Sequence, residues 1–405
     1  MPDSDTTESL HCVWAESGLA LHNSGRALLC CHSRKYLEDD QNKQIYWNTH
    51  DLESAWKSPT RQEIQQALRR GERHWNCQAC WDEELSGRQS RRTINNKLFS
   101  YLTTNGKSPL LMDLKLGNTC NLACRTCWPE VSSKWYKDYW EVHEKLQQPD
   151  YQKYLSKWKT IQLSYNDDNH NLWTQLKDYL GHVKHIDIYG AEPFLSKQLF
   201  MALSWSHEQG ISADQSLHIN TNGTIWNDSY MESLASFKKI NLDISLDGTE
   251  QKHDYIRYGE SWSRVNDNLR KFVAFRDNNP NVEICVCITV SNLNIFYLDE
   301  IWQYVIEKGL QPFFNLVHMP EHACIRCIPD EGKKRIKQKY LYCDGDRGWV
   351  DQISGVISFM DIPDSQQSQH WKEFLRTTKE LDRLRSQDFD QTFPEYSQLL
   401  STLAT

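Results

Sequence analysis

Between Gly117 and Pro129 the chain reads GNTCNLACRTCWP, which places thiols at Cys120, Cys124 and Cys127. Thiolates are soft metal ligands, and three of them within eight residues point first to a metal centre. The spacing alone leaves three readings. The cysteines are unrelated core residues, they belong to a zinc site completed elsewhere, or they hold three irons of a [4Fe–4S] cluster. Such a cluster usually takes four thiolates. Three leave one iron with an open position for a small molecule, as a catalytic zinc site does.

The chain has 13 cysteines, an odd number, and they are clustered rather than scattered. In a reducing compartment this pattern reads as metal ligands or redox groups, not as a disulfide framework. Cys12, Cys30, Cys31, Cys77 and Cys80 fall in the first hundred residues. Cys285 and Cys287 lie two apart in VEICVCITV and so share a strand face, as core residues or as donors of hydrogen to a substrate radical. Cys324 and Cys327 have metal-like spacing, with only Cys343 following.

The elements that must position these groups are legible. Short apolar runs recur at LLMDLKLG (110–117), HIDIYG (185–190), SLHINTNG (216–223), INLDISLDG (240–248), VEICVCITV (282–290) and PFFNLVH (312–318). Helix-length amphipathic segments separate them, so a parallel α/β sheet with crossover helices is expected. Six units are too few for an eight-stranded barrel, and a partial (β/α)6 TIM-like barrel over residues 100–320 follows. Ligands of such folds sit at the carboxyl ends of the strands, and Cys120 follows the first strand directly. Residues 1–95 form a cysteine-rich N-terminal region with one helix in SPTRQEIQQALRRG, started by Ser58 and ended by Gly71. Residues 321–405 form a helical extension, with an amphipathic helix in HWKEFLRTTKELDRLRSQ.

The Cys120–Cys124–Cys127 spacing matches the radical S-adenosylmethionine (radical SAM) signature, and further stretches follow it in order. Tyr189-Gly190-Ala191-Glu192-Pro193 resembles that family's Gly-Gly-Glu-Pro motif, with alanine in place of the second glycine. Asn220-Thr221-Asn222-Gly223 resembles its Thr-Asn-Gly turn, and Ser245-Leu246-Asp247-Gly248 its Ser-Leu-Asp-Gly segment. Arg257 and Asn294 stand where relatives carry an arginine and an asparagine. The resemblance implies that Cys120, Cys124 and Cys127 hold the cluster and that SAM chelates its open iron. It implies SAM contacts from Gly190, Ala191, Glu192, Asn220, Asn222, Ser245, Asp247, Arg257 and Asn294. A guanidinium fork at Arg257 suits the SAM carboxylate. The implied chemistry is reductive cleavage of SAM to a 5′-deoxyadenosyl radical that takes hydrogen from substrate. One departure is Thr126, where the family commonly has an aromatic residue before the third cysteine; Trp128 stands two positions on.

Cys12, Gly25, Cys30 and the pair Cys77/Cys80 resemble half of the SPASM pattern, in which a glycine-turned hairpin, here turning at Gly25 between two short strands, and a Cys-x-x-Cys hold an auxiliary cluster, placed unusually before the core, as in twitch-type relatives. This implies an auxiliary [4Fe–4S] or [2Fe–2S] cluster on Cys12, Cys30, Cys77 and Cys80, with a four-thiolate zinc site as the alternative. Cys31 is the alternate to Cys30, because neighbouring strand residues face opposite ways. Relatives often act on peptides, so a peptide or protein substrate is expected first and a small molecule second. A metal-binding interaction protein without catalysis is a third reading. A one-electron donor such as flavodoxin or ferredoxin is implied as a partner.

A net charge of −8 disfavours a strongly basic nucleic-acid binder. No apolar run approaches the roughly 20 residues of a membrane helix, and the polar start MPDSDTTESLHC does not read as a secretory signal, so a cytoplasmic location is expected. The basic run GRQSRR (87–92) reads as a solvated face or a contact for an acidic partner. Trp135, Tyr136, Tyr139 and Trp140 fall partly at helical spacing, which suits packing against the core, or else a wall of the substrate cleft.

Overall fold

The computed structural model describes residues 10–47, 50–85, 89–104, 106–115, 117–146, 152–153, 155–156, 172–341 and 347–401. Cys343 lies outside them. The described strands are β1 (Gly18–Leu21), β2 (Ala27–Leu28), β3 (Leu111–Leu114), β4 (His185–Ile188), β5 (Ser216–Thr221), β6 (Lys239–Ser245), β7 (Val282–Val290) and β8 (Gln311–Leu316). They follow the order β2-β1-β3-β4-β5-β6-β7-β8 in a mostly parallel sheet. β3 to β8 are the six strands expected from the sequence, and the α/β class follows from them.

The N-terminal hairpin adds the other two strands. Gly25, at φ +84°, turns β1 into β2, and the His22 amide closes the turn by donating to the Arg26 carbonyl at 2.8 Å. β1 then pairs in parallel with β3, Gly18 opposite Leu111. The chain divides into two compact units. The first holds Met1–Asn118, Lys159–Ile219 and Asp228–Ile240, and the second holds Thr119–Trp158, Asn220–Asn227 and Asn241–Thr405. In the first unit the β1–β3 pairing puts the N-terminal residues in the same sheet as β3 and β4.

In the first unit β1, β3 and β4 are buried at every position, as expected for parallel strands covered on both faces. The helix Pro59–Arg69 forms where expected, and Gly71 follows it at φ +75°. Ser58 does not cap it through its side chain; the hydroxyl donates to the Glu38 carbonyl at 2.7 Å. The basic run is corrected at Arg91 and Arg92, while Gly87 and Arg88 lie outside the described residues. Arg91 and Arg92 begin the helix Arg91–Leu98 and are turned inward, paired with Asp187 and Glu84 at 2.5 and 2.7 Å.

In the second unit β7 and β8 pair in parallel, and the helices Trp262–Asn278 and Leu298–Glu307 flank β7 in sequence. Three helices of 12, 14 and 19 residues follow, Asp330–Leu341, Arg347–Met360 and Gln367–Arg385. The last carries the amphipathic pattern expected of the tail. Its Leu381 packs against Ala123, Trp135 and Val142, with Cys127 and Tyr258 beside them. Trp135 therefore supports the cysteine loop by packing, the first of the two roles expected for the aromatic run. No helix among the described residues is long and apolar enough to cross a membrane.

Candidate active site

The loop that carries Cys120, Cys124 and Cys127 is held from several sides within the second unit. The Cys127 amide donates to the Cys124 carbonyl at 2.9 Å, which sets the turn between these two thiols. The Ala123 and Arg125 amides donate to the carbonyls of Tyr258 and Ile256 at 2.7 and 2.8 Å. The Trp135 indole donates to the Cys124 carbonyl at 2.8 Å. Arg125, between two of the thiols, sends its guanidinium to Asp382 and Gln387 at 2.5 and 2.9 Å. A loop pinned on both strands of its turn loses little entropy when it takes a metal group. Burial pushes the Cys127 thiol above its ordinary value, and Cys124 and Cys120 push it further. Three thiols on one pinned loop, with Cys127 raised by the other two, are a poor apolar core and a suitable cation site, so this donor set fits an iron–sulfur cluster.

Four of the resembling stretches stand around it in the second unit. Asn222 places Nδ2 2.9 Å from Asn121 Oδ1 and 3.9 Å from Cys120 Sγ, and its Oδ1 accepts from the Thr224 amide at 2.9 Å. Gly223 sits at φ +73°, and a Cβ there would lie 3.0 Å from Ile244, so this turn needs glycine. Ser245 Oγ donates to Asn220 Oδ1 at 3.0 Å. Asp247 is 1% exposed and accepts from Arg257 Nη1 at 2.6 Å and from the Thr289 amide at 2.8 Å. Arg257 keeps its buried Nε–H without an acceptor among the described residues, which leaves that donor for an anionic ligand. Asn294 spends its amide on the backbone, donating to the Asp247 and Thr289 carbonyls at 3.0 Å each and accepting from the Ser291 amide at 2.8 Å. It positions the Asp247 turn rather than offering a free group.

Cys287 is 5% exposed, and burial, Asp243 and Asp247 hold its thiol well above the ordinary value. Cys327 is fully buried and accepts from Asn292 Nδ2 at 3.2 Å. It is thus partnered by protein, as is the carbonyl of His322, to which Asn292 also donates.

The first unit carries the Gly190–Glu192 stretch. Gly190 and Ala191 both take positive φ, +86° and +56°. Glu192 is 1% exposed and accepts from the Phe194 amide at 3.1 Å. Ala191 thus occupies the left-handed region that a glycine fills without strain, and an L-residue there carries about 1–2 kcal/mol of strain. Ala191→Gly relieves that strain and returns about 0.4–1 kcal/mol of unfolded-chain entropy. The expected result is a net gain of about 0.5–1 kcal/mol. It is read as a raised thermal midpoint of the metal-free protein, and a lowered midpoint contradicts the strain argument.

The first unit also gathers four N-terminal thiols. Cys77 is raised by burial and then by Cys30, Cys12 and Cys80, which makes the four close electrostatic neighbours. Burial takes Cys12 and Cys30 to about 11. The neighbours of Cys31 are Arg91, Asp113 and Lys115 as well as Cys30, and burial takes it to about 12. A His32–Cys80–Glu83 group, with donor atoms all within 4.8 Å of one another, lies against the same set.

A polar row that sequence reasoning passed over crosses β3, β4 and β5. Asp113 stands opposite Asp187, and Asp187 opposite His218. Asp187 is 3% exposed, with Arg91 at 2.5 Å, His218 Nδ1 at 2.9 Å and His185 Nε2 at 3.2 Å. Burial alone raises its carboxyl, but Arg91 and the two histidines outweigh it and hold the group well below the usual range. Tyr189 donates to Asp113 at 2.6 Å. The signal was present as alternation, since His185, Asp187 and Tyr189 share one strand face and Ser216 and His218 another.

The model of the radical SAM superfamily matches residues 114–290. No curated protein matches the chain. Among solved structures, the chain is similar to native anSMEcpe with bound AdoMet, at 16% identity and TM-score 0.37, over 60% of this chain and 61% of that one. It is similar to anSMEcpe with bound AdoMet and Kp18Cys peptide, at 18% and 0.36, over 52% and 51%. It is also similar to Streptococcus suis SuiB bound to precursor peptide SuiA, at 14% and 0.34, over 81% and 68%. The chain spans about six tenths of the length of the first of these.

Proposed function

We propose that this chain, whose residues 114–290 match the radical SAM superfamily model, is an enzyme that uses SAM and modifies a peptide or protein substrate by hydrogen abstraction at an unactivated C–H bond. When bound, a [4Fe–4S] cluster and SAM supply one-electron cleavage of the sulfonium and the hydrogen-atom abstraction that follows. Cys120, Cys124 and Cys127 hold the cluster. Arg257, oriented by Asp247, presents its Nε–H to the SAM carboxylate. Glu192 accepts from the SAM ammonium, and Asn222 keeps the turn after β5 closed against Asn121. β3 to β8 act as the partial (β/α)6 barrel that carries these groups.

The N-terminal residues 1–95 serve as an auxiliary cluster element with Cys12, Cys30, Cys77 and Cys80 as ligands, and the helices after residue 320 as a supporting extension. The gathering of those four thiols is the observation that carries the peptide reading, because such an element resembles the SPASM and twitch enzymes. A ferredoxin or flavodoxin supplies the electron.

Anaerobic reconstitution followed by iron and sulfide analysis tests the ligand assignment. Cys30→Ser loses the auxiliary iron, and Cys31→Ser keeps it. Deoxyadenosine release from SAM under dithionite tests the chemistry. Stimulation of that release by a short peptide encoded beside this gene supports the peptide substrate, and stimulation only by a small molecule overturns it.

A further inference from the structure

We propose that Arg385, brought in by the C-terminal helix, donates hydrogen bonds from its guanidinium to the sulfur face of the cluster held by Cys120, Cys124 and Cys127, and so sets that cluster's reduction potential. The inference rests on the cluster reading above.

Arg385 is the last residue of the helix Gln367–Arg385, and Ser386 ends that helix at φ +52°. Its side chain is 1% exposed. Nε donates to Asp138 Oδ2 at 2.8 Å. The guanidinium lies between two rings, 4.8 Å from the centre of Trp135 and 4.4 Å from that of Tyr258. Both residues also hold the cysteine loop, Trp135 through the Cys124 carbonyl and Tyr258 through the Ala123 amide. The cation is therefore clamped to the loop it faces.

Nη1 and Nη2 of Arg385 are both buried and have no acceptor among the described residues. Charged donors left unmade in a dry place are costly. One carboxylate on Nε does not account for a fork with five N–H groups. The acceptor that fits is anionic, beside Cys124, and outside the protein's own oxygen atoms. Thiolate and sulfide sulfur meet all three conditions. Hydrogen bonds to cluster sulfur and nearby positive charge favour the reduced state, whose net charge is more negative. Arg385 thus raises the potential, and Asp138, which offsets its charge, lowers it.

The test is an EPR-monitored redox titration of the reconstituted full-length protein, following the signal that SAM perturbs. Arg385→Gln keeps the signal and lowers the equilibrium constant for one-electron reduction about tenfold, a shift of about 59 mV to more negative potential. Arg385→Lys, which keeps charge but not the fork, shifts less. Asp138→Asn leaves Arg385 in place and moves the potential the opposite way, so the sign can be read even where Arg385→Gln folds poorly. An unchanged potential in the folded Arg385→Gln and Asp138→Asn proteins overturns the proposal and leaves those N–H groups to water. Absence of any SAM-sensitive signal in the unmodified protein overturns the cluster reading instead.

Discussion

Reconstituted Cys124→Ser protein is expected to be paler than the parent, to lack the SAM-sensitive EPR signal and to release deoxyadenosine at background. Cys124 is 7% exposed, and its backbone is fixed by Trp135 and by the amide of Cys127. A serine there keeps those backbone bonds, so the loop persists while one soft ligand of three is replaced by a hard, weakly acidic hydroxyl. Losing a mere partner of a metal ligand costs about 10- to 100-fold in activity or affinity, and losing a ligand exceeds about 100-fold. The thermal midpoint of the metal-free protein stays close to the parent's, which separates lost chemistry from lost fold. Iron content and turnover equal to the parent's would remove the three-thiol centre from the account.

Asp187→Asn is expected to cost about 3–5 kcal/mol of stability, the range for breaking a buried ion pair. The asparagine fits the space, but Arg91, with a side chain 20% exposed, is left charged beside a neutral amide. The acid dependence follows from the same pairing. The Asp187 carboxyl in the folded protein lies well below its ordinary 3.8. A carboxyl depressed on folding contributes stability that is complete above its unfolded value, and this is lost as pH falls through the unfolded and then the folded value. The contribution of Asp187 is thus whole at neutral pH and fades below about pH 4. The asparagine variant lacks that part of the acid slope. Urea denaturation at neutral pH and again at about pH 3.5 checks both statements. A loss under about 0.5 kcal/mol at neutral pH, the size of an ordinary surface change, contradicts the account.

Local signals carried most of the fold. Every strand from β3 to β8 was announced by a short apolar run bounded by turn residues, because burial and turn chemistry act over a few residues. The cysteine loop was legible for the same reason. Its three thiols lie within eight residues, and each of the following motifs sits at the end of a strand. The N-terminal hairpin was legible from Gly25, but its place was not. Nothing near Gly18 indicates that it stands opposite Leu111, 93 positions away.

The charged run around Arg91 shows why the rest was hidden. Read alone, GRQSRR is a solvated face, and its inward turn depends on Asp187, 96 positions further on. The alternating polar residues of β4 were in plain view, but their meaning required the neighbouring strands, since an aspartate is tolerated in a core only where its partners are. The same holds for Cys30 and Cys31, which the sequence distinguishes only as opposite faces of one strand. The fold sets Cys12 beside Cys30, and Asp113 and Lys115 beside Cys31.

The sequence by itself determined the chemistry available to this protein, because ligand identity, ligand spacing and glycine-bearing turns are local covalent facts. Only the tertiary structure decided which buried charges meet. Arg125 and Asp382, 257 positions apart, and Arg385 beside the Cys124 loop, are brought together by helix packing. Coulomb attraction in a dry interior depends on distance in space, and a linear sequence does not contain that distance.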